Sequence, residues 1–243
     1  MKFYKELSKV YDYVFPRDEV TVKFLCKNMK VNSKVLDLAC GTGTYSIALA
    51  QKGHRVDGID LGEEMIELAK GKGGLFANFK VGDMTKIKET YANKRYDFAF
   101  CIGNSLVHLK NKEKIENFIK DIYDMLIDEG VLVIQIINYD RIIKNNIKSL
   151  PAIERYDRGL KFVRNYNYKE EEEKVEFKTE LIMSQEGKIE KLENTVDLIA
   201  LKMEELKNIF ERAGFKSIEI FGDFDEEEFT DNSYALVIKA RKK

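Results

Sequence analysis

The feature that most constrains this chain is a glycine-containing turn between an apolar segment and a helical pattern. Residues 35–46 read VLDLACGTGTYS, so an acid and then a Gly-x-Gly turn follow the apolar run. Glycine at 41 and 43 permits a tight turn and removes Cβ atoms that would collide with a ligand. A helix beginning here points its unpaired N–H groups at whatever lies on the turn. The pattern is typical of a strand–turn–helix unit that brings backbone close to a nucleotide-like ligand.

A second acid favours the same interpretation. Asp60 ends the apolar run 55–60, seventeen residues after Gly43. In a parallel sheet this places a carboxylate beside the first turn, within reach of two ribose hydroxyls. The alternative is a strand–turn–helix that needs its glycines only for geometry, and the position of Asp60 argues against it.

Composition limits the classes of protein that fit. The chain has 243 residues, 44% hydrophobic and 34% charged, which suits one globular domain or a domain with a lid. Its 41 basic and 42 acidic residues argue against a broad nucleic-acid surface. We find neither a membrane-spanning apolar run nor a signal-peptide pattern. Three cysteines without metal-ligand spacing and two histidines predict a cytoplasmic protein with free thiols and no metal site.

Strand and helix patterns alternate in the first part of the chain. We predict strands at 34–38, 55–59, 75–81, 96–102 and 131–137, and helices at 3–14, 17–29, 44–52, 63–70 and 112–127. Strands separated by helices imply a parallel sheet that is covered on both faces. Ligands of such sheets bind at the carboxyl ends of the strands, where the glycine turn lies.

The pattern changes after residue 150. Residues 160–198 alternate with period two, which predicts three antiparallel strands with a turn at 185–187, followed by a helix at 203–213. The last predicted strands, 215–221 and 234–240, are too close for a crossover helix and must pair antiparallel. We therefore expect a core of residues 1–150 and 200–243, with residues 151–199 inserted as a small antiparallel β lid over the substrate.

These features resemble class I S-adenosylmethionine-dependent methyltransferases. VLDLACGTG is similar to the first motif of that family, and CIGNSLVHL at 101–109 and NYDRI at 138–142 resemble the glycine/sarcosine N-methyltransferase-like branch. The resemblance implies an α/β fold with a Rossmann-like seven-stranded sheet whose last strand is antiparallel. It implies S-adenosyl-L-methionine as cofactor, and a monomer or homodimer that methylates a small molecule, with an amine as one choice.

The resemblance also implies which residues bind the cofactor. Contacts to its methionine part would come from Tyr11, Ala39, Gly41, Gly43, Cys101 and Ile102. The ribose would bind Asp60, and the adenine would contact Leu61, Met65, Asp83 and Met84. On the residue pattern alone, Tyr11 and Met65 also suit an apolar core, and Asp83 also suits a turn or a helix cap.

The acceptor side has several candidates. Catalytic candidates are His108, Asn104 and Tyr139, and substrate-binding candidates are Asn104, Arg141 and Arg164. His108 and Asn104 also suit structural roles in a helix start and a turn. The glycine-type enzymes carry an arginine before the NYD stretch that holds the acceptor's carboxylate, whereas this chain has Ile137. Isoleucine cannot form those hydrogen bonds, so glycine does not follow as acceptor unless another arginine replaces the missing one.

Three other functions compete with this interpretation. An NAD-dependent oxidoreductase would have a third glycine where Ser46 stands, and a parallel sixth strand. A catalytically silent S-adenosylmethionine-binding regulatory protein would keep the pocket and lose transfer, which Ile137 leaves open. A nucleic-acid methyltransferase would show a basic surface or an Asn-Pro-Pro-Tyr motif after the fourth strand, where this chain has Ile-Gly-Asn-Ser.

Overall fold

The computed structural model of the protein describes residues 2–75, 77–185 and 188–243. The helices along the chain are α1 (Lys2–Val14), α2 (Glu19–Lys27), α3 (Thr44–Gln51), α4 (Glu63–Lys72), α5 (Ile87–Thr90), α6 (Lys112–Met125), α7 (Tyr139–Lys144) and α8 (Met203–Ala213). The strands are β1 (Lys34–Leu38), β2 (Arg55–Asp60), β3 (Ala77–Val81), β4 (Tyr96–Cys101), β5 (Leu126–Ile137), β6 (Ser149–Arg155), β7 (Leu160–Lys169), β8 (Lys174–Gln185), β9 (Lys188–Ile199), β10 (Ser217–Phe221) and β11 (Ala235–Arg241).

Seven of these strands form the main sheet, in the order β10-β11-β5-β4-β1-β2-β3. Strands β1 to β5 are parallel, and β11 runs antiparallel between β5 and β10. This confirms the predicted α/β sheet with an antiparallel last strand. The strand beside β5 is the antiparallel β11, and β10 at the sheet edge runs in the direction of β1 to β5. A dinucleotide-binding oxidoreductase would instead have its parallel sixth strand directly beside β5.

Alternate residues of the central strands are buried on opposite faces of the main sheet. Leu36, Ala99 and Leu132 pack on one face against the apolar stripes of α6 and α8. Val35 and Phe98 pack on the other face, where α2 and α3 cover the sheet. Because both faces are covered, the open parts of these strands are their ends, and the loops at the carboxyl ends are free to form a site.

The inserted segment forms a second, four-stranded antiparallel sheet in the order β6-β7-β8-β9, which we call the small sheet. Three of its strands correspond to the predicted ones, and β6 was not predicted. Strand β6 lies at the edge of the small sheet and contains Pro151. Because proline is unfavourable in most strands and is tolerated at a sheet edge, the sequence pattern did not predict a strand here. Of the turn predicted at 185–187, residues 186 and 187 lie outside the described residues, as does residue 76 of the predicted third strand.

Helix α1 joins the two sheets. Its apolar residues Phe3, Leu7 and Val14 pack with Phe162 and Leu181 on the small sheet. The small sheet also contributes other residues to the core of the main sheet, among them Tyr166, Val175 and Leu198. The small sheet is therefore packed against the carboxyl-end loops of the main sheet, with α1 beside it.

Candidate active site

Residues 39–43 form the turn between β1 and α3, which we call the glycine loop. Ala39, Gly41 and Gly43 have positive φ angles of 60°, 54° and 76°. The Cys40 N–H donates to the Ile59 carbonyl at 3.0 Å, and the Gly43 N–H donates to the Cys40 carbonyl at 2.9 Å. These bonds hold the loop at the carboxyl end of β1, next to β2.

The two glycines of the loop are needed for different reasons. A Cβ at Gly41 would lie 3.6 Å from the Tyr11 ring, which is ordinary contact. A Cβ at Gly43 would lie 2.7 Å from Phe79 and 3.0 Å from Ala69. Glycine is therefore required at 43 by the positive φ of the turn and by the close packing of the start of α3 against β3 and α4, while its closeness to a ligand stays a prediction.

Asp60 lies beside the glycine loop, at the end of β2. One carboxylate oxygen accepts the Gly41 N–H and the other accepts the Gly62 N–H, both at 2.8 Å. Desolvation of this partly buried carboxyl raises its pKa. A carboxylate has about four acceptor positions, so the bonds to the loop leave room for further donors such as hydroxyls.

The other predicted adenosine contacts surround Asp60 and the end of β3. Leu61 is 71% exposed, although its side chain is large and apolar. Met65 and Met84 are buried. Asp83 caps the turn Met84–Lys86 by accepting from the Thr85 N–H at 2.8 Å and the Thr85 hydroxyl at 2.7 Å. The capping alternative for Asp83 is thus observed, and Leu61 offers an uncovered apolar surface beside Asp60.

A cavity of about 440 Å³ opens between the glycine loop and the small sheet. Its lining from the main sheet comes from the glycine loop and the ends of β4 and β5: Ala39, Cys40, Ile102, Gly103, Asn104, Gln135 and Ile137. Its lining from α1 and the small sheet is largely aromatic: Phe3, Tyr4, Leu7, Tyr11, Phe162, Arg164, Tyr166, Phe177, Thr179 and Asn194. Asp37 and His108 also line it. The cavity therefore brings together Tyr11, Ala39, Ile102, Asn104, His108 and Arg164 of the predicted site.

Asn104 connects the ends of β4 and β5. It has a φ of 67°, its Oδ1 accepts the Ile137 N–H at 3.0 Å, and its Nδ2 donates to the Tyr139 hydroxyl at 3.1 Å. The buried Tyr139 is not among the cavity-lining residues, and burial raises its pKa, so its phenol stays protonated. Asn104 thus lines the cavity, but its amide already makes hydrogen bonds to protein groups. The structure does not place Tyr139 in the cavity.

Three more predicted residues lie in different places. His108 lies at the edge of the cavity, where desolvation of its imidazole lowers its pKa, so the neutral form predominates at pH 7. Arg141 does not line the cavity, since its guanidinium stacks on the Tyr234 ring at 4.1 Å. Cys101 is fully buried behind the lining, and burial raises the pKa of its thiol.

Sequence reasoning missed the function of two acids. Asp37 is buried and accepts from the Ser46 hydroxyl at 2.6 Å, and burial raises its pKa to about 7. Ser46, which stands where a dinucleotide fingerprint has glycine, is thus the hydrogen-bond partner of Asp37.

Asp12 accepts from the Thr42 hydroxyl at 2.5 Å and pairs with Lys72 at 2.5 Å, which fastens α1 over the glycine loop. Only the acid–Gly-x-Gly pattern pointed to Asp37, and no sequence pattern pointed to Asp12.

Two findings concern other kinds of site. In the part of the chain that the structure describes, no group of three or more histidine, cysteine or acidic side chains is placed to hold a metal ion. No helix in the same part is long and apolar enough to cross a membrane.

The residues present fit the adenosyl cofactor that the resemblance implies. Gly41 has no side chain, and the Tyr11 ring lies over its backbone. Asp60 stands beside the loop with acceptor positions to spare, and Leu61 leaves apolar surface exposed next to it. A carboxylate and an exposed apolar side chain side by side at the end of β2 suit a ribose and a base.

Comparisons with known proteins agree with this geometry. A family model described as "Methyltransferase domain" matches residues 35–130. The chain is 28% identical to the "Putative methyltransferase YqeM" of Bacillus subtilis (strain 168), over 98% of this chain and 97% of that protein. It is 26% identical to the glycine/sarcosine N-methyltransferase of Aphanothece halophytica, over 90% of this chain and 81% of that protein.

A solved structure shows the same fold. The S-adenosylmethionine-dependent methyltransferase from Clostridium acetobutylicum superimposes with a TM-score of 0.82 at 16% identity, covering 98% of each chain. The domain match includes the glycine loop and Asp60, and the main sheet has the seven strands and the antiparallel last strand expected from the resemblance. The domain match, the related methyltransferases and the shared fold together support a class I S-adenosylmethionine-dependent methyltransferase.

Proposed function

We propose that this enzyme transfers the methyl group of S-adenosylmethionine to a small-molecule acceptor, with an amine as the nucleophile, inside the cavity between the glycine loop and the small sheet. The observation that carries the proposal is the position of the cavity. One wall is the glycine loop with the ends of β4 and β5, and the opposite wall is the aromatic face of the small sheet. A small acceptor would thus be held next to the cofactor loop.

In this proposal the cofactor lies across the carboxyl ends of β1 to β4. Asp60 accepts hydrogen bonds from the ribose, while Leu61 and Met65 contact the adenine from one side and Asp83 and Met84 from the other. The methionine part lies along the glycine loop. Its neighbours there are Tyr11, Ala39, Gly41, Gly43, Cys101 and Ile102, of which Tyr11, Ala39 and Ile102 line the cavity.

The protein's contribution to the chemistry is positioning. When bound, S-adenosylmethionine supplies a methyl group that is already activated on a sulfonium. The cavity walls hold the acceptor in line with that methyl group, and such preorganisation supplies on the order of 7–11 kcal/mol of the barrier reduction. Neutral His108 at the edge of the cavity is available to accept the proton that an amine loses.

The small sheet acts as the substrate lid in this proposal. Phe162, Tyr166 and Phe177 face the cavity, and Phe162 packs with α1 beyond it. An aromatic wall excludes water from the reacting atoms and strengthens polar interactions within the cavity. Ile137 lines the same space, so the acceptor lies against an apolar side chain where the glycine-type enzymes carry arginine.

Replacement of Asp60 tests the cofactor site. We expect Asp60→Ala to lose cofactor binding, because two hydrogen bonds from the ribose to a charged group contribute about 3 kcal/mol or more. The measurement is calorimetric titration of S-adenosylmethionine. Glu67→Ala removes an exposed acid from the neighbouring helix α4 and should bind normally.

Thermal unfolding of both variants separates loss of the site from loss of the fold, since Asp60 also holds the glycine loop. Unchanged affinity for S-adenosylmethionine in a folded Asp60→Ala variant would refute the placement of the ribose at Asp60.

The class of acceptor is tested by the release of S-adenosylhomocysteine with a panel of small amines, compared with transfer RNA and DNA. Cofactor binding without release on any acceptor would instead favour the catalytically silent alternative.

A further inference from the structure

Two buried polar atoms on the small-sheet wall of the cavity have no hydrogen-bond partner. They are the Nε of Arg164 and the hydroxyl oxygen of Tyr166. The two residues are separated by one position on β7, so their side chains leave the same face of the strand, and both line the cavity. Buried polar groups are normally satisfied, and an exception of this kind needs an explanation.

The chemistry of the guanidinium limits what can satisfy it. An arginine Nε–H only donates, so its partner must be an acceptor. The Arg164 Nη2 already donates to the Pro151 carbonyl at 2.8 Å, which fixes the plane of the group. Arg164 makes no ion pair with any acid among residues 2–75, 77–185 and 188–243, within 4.0 Å of its nitrogens. A fixed guanidinium edge with an unopposed positive charge is suited to a planar anion.

The surroundings of the pair define the rest of the ligand. Tyr166 is 2% exposed and packs with Phe177 at a ring-centroid distance of 5.1 Å. Burial raises the pKa of Tyr166 to about 12, so its phenol is a donor at neutral pH. Phe162, on the other side of Arg164 along β7, and Phe3 and Leu7 of α1 make the adjoining lining apolar. One charged donor and one neutral donor thus adjoin a mainly aromatic space.

We infer that the methyl acceptor is an apolar amine that also carries a carboxylate, which binds Arg164 and Tyr166 while the apolar body packs against the aromatic wall. The inference rests on the proposed function and names the acceptor class for that same site. A carboxylate carries one negative charge, which one guanidinium balances. A phosphate dianion would bring a second charge into a wall that offers one cation. Arg164 is in this account a substrate-binding residue.

Direct binding of simple aromatic acids tests the inference. The protein saturated with S-adenosylhomocysteine is titrated with phenylacetate, 3-phenylpropionate and L-phenylalanine, and with the primary amide of each. We expect the best acid to bind about tenfold or more tightly than its amide, because a hydrogen bond to a charged group is worth that factor. Arg164→Gln should abolish the preference, Arg164→Lys should restore part of it, and Tyr166→Phe should weaken it severalfold.

Arg158→Gln is the matched control, since it removes an exposed arginine from the same inserted segment and should leave the preference unchanged. Equal binding of acids and amides, a preference that survives Arg164→Gln, or no binding of any acid would overturn the inference. So would tighter binding of phenyl phosphate than of the acids. Titration of S-adenosylhomocysteine itself keeps the two proposals apart: normal cofactor affinity with no acid preference leaves the methyltransferase site standing, whereas absent cofactor affinity refutes the site.

Discussion

At the scale of single residues, the glycine loop shows how one motif serves two purposes. Gly41 is covered by Tyr11 at ordinary contact distance, whereas Gly43 lies against Phe79 and Ala69. Sequence reasoning found both glycines from their spacing, but it could not separate their reasons. The atoms that require glycine at 43 come from β3 and α4, which no local pattern around residue 43 reveals.

Substitution at these glycines should separate strain from steric conflict. Gly43→Ala adds a Cβ 2.7 Å from Phe79 at a φ of +76°, while Gly103→Ala adds one at the same φ with no atom within 4 Å. We expect Gly103→Ala to lower the free energy of unfolding by about 1–2 kcal/mol through the left-handed backbone alone. Gly43→Ala should cost about 1–3 kcal/mol more through overpacking.

Urea denaturation of both variants measures the difference. Equal destabilisation would show that Phe79 gives way without cost, and that the conflict at Gly43 is not what requires glycine there. A Gly43→Ala variant in the background of Phe79→Ala supplies the cross-check, since removal of the ring should recover the overpacking part.

The acceptor side shows the limit of sequence reasoning for single side chains. Arg141 and Arg164 were equivalent candidates in the sequence, and the structure separates them because Arg141 stacks on Tyr234 while Arg164 faces the cavity. Likewise, Tyr139 follows the β5 end directly, yet its hydroxyl bonds to Asn104 behind the cavity lining. Which way a side chain points from a loop depends on neighbours that are distant in sequence.

At the scale of elements, α1 is fastened over the glycine loop by one carboxylate. Asp12 accepts from the hydroxyls of Thr42 and Thr44 and pairs with Lys72 of α4. Tyr11, the neighbouring residue, lies on Gly41. The amphipathic pattern of α1 was readable in the sequence, but its attachment was not, because a polar residue on a helix carries no sign of its partner.

Loss of this attachment should loosen α1 and weaken cofactor binding. We expect Asp12→Ala to speed hydrogen exchange of the α1 amides and to reduce the affinity for S-adenosylmethionine by about tenfold, the worth of one or two charge-assisted bonds. Exchange followed by mass spectrometry and calorimetric titration measure both effects. Glu6→Ala breaks an exposed ion pair with Lys9 on the same helix and should change neither. Unaltered exchange in Asp12→Ala would show that apolar packing alone holds α1.

The predicted elements were those with strong patterns. The parallel strands, α6 and α8 follow long apolar runs or clear helical stripes, and the structure has them close to the predicted bounds, except that β5 begins at Leu126 and not at residue 131. The missed elements, α5, α7 and β6, are short, and α7 and β6 lie between β5 and the predicted strands of the inserted segment. Helix α7 has six residues and begins at an Asn138 cap that accepts the Arg141 N–H, a signal too brief to separate from a turn.

At the scale of the whole molecule, the buried Asp37 should make stability depend on pH. Its pKa is about 7 in the folded protein against 3.8 for the free side chain. Between these values the folded state binds more protons than the unfolded state. Protonated Asp37 therefore contributes its full stabilisation below about pH 4, and this stabilisation is lost as the pH rises through 7. Over this range the free energy of unfolding falls by at most about 1.4 kcal/mol per pH unit.

Comparison with Asp37→Asn isolates this contribution. The variant keeps an acceptor for Ser46 and cannot ionise. The free energy of unfolding of Asp37→Asn minus that of the native protein should therefore rise steadily from pH 4 to pH 7. The measurement is urea denaturation of the ligand-free protein across this range. Asp18→Asn serves as control with the opposite sign, because hydrogen bonds from Thr21 and Val20 lower the pKa of Asp18 and its stabilisation is lost only in acid. A constant difference between native and Asp37→Asn would mean that Asp37 does not titrate near 7.

The position of β11 has a consequence for biosynthesis. This strand pairs with both β5 and β10, although it follows every other strand of the main sheet along the chain. While the polypeptide is still emerging from the ribosome, the outer side of β5 lacks its neighbour and exposes a row of amide and carbonyl groups. Completion of the sheet must wait for residues 235–241, so the edge of β5 stays open to non-native pairing until then.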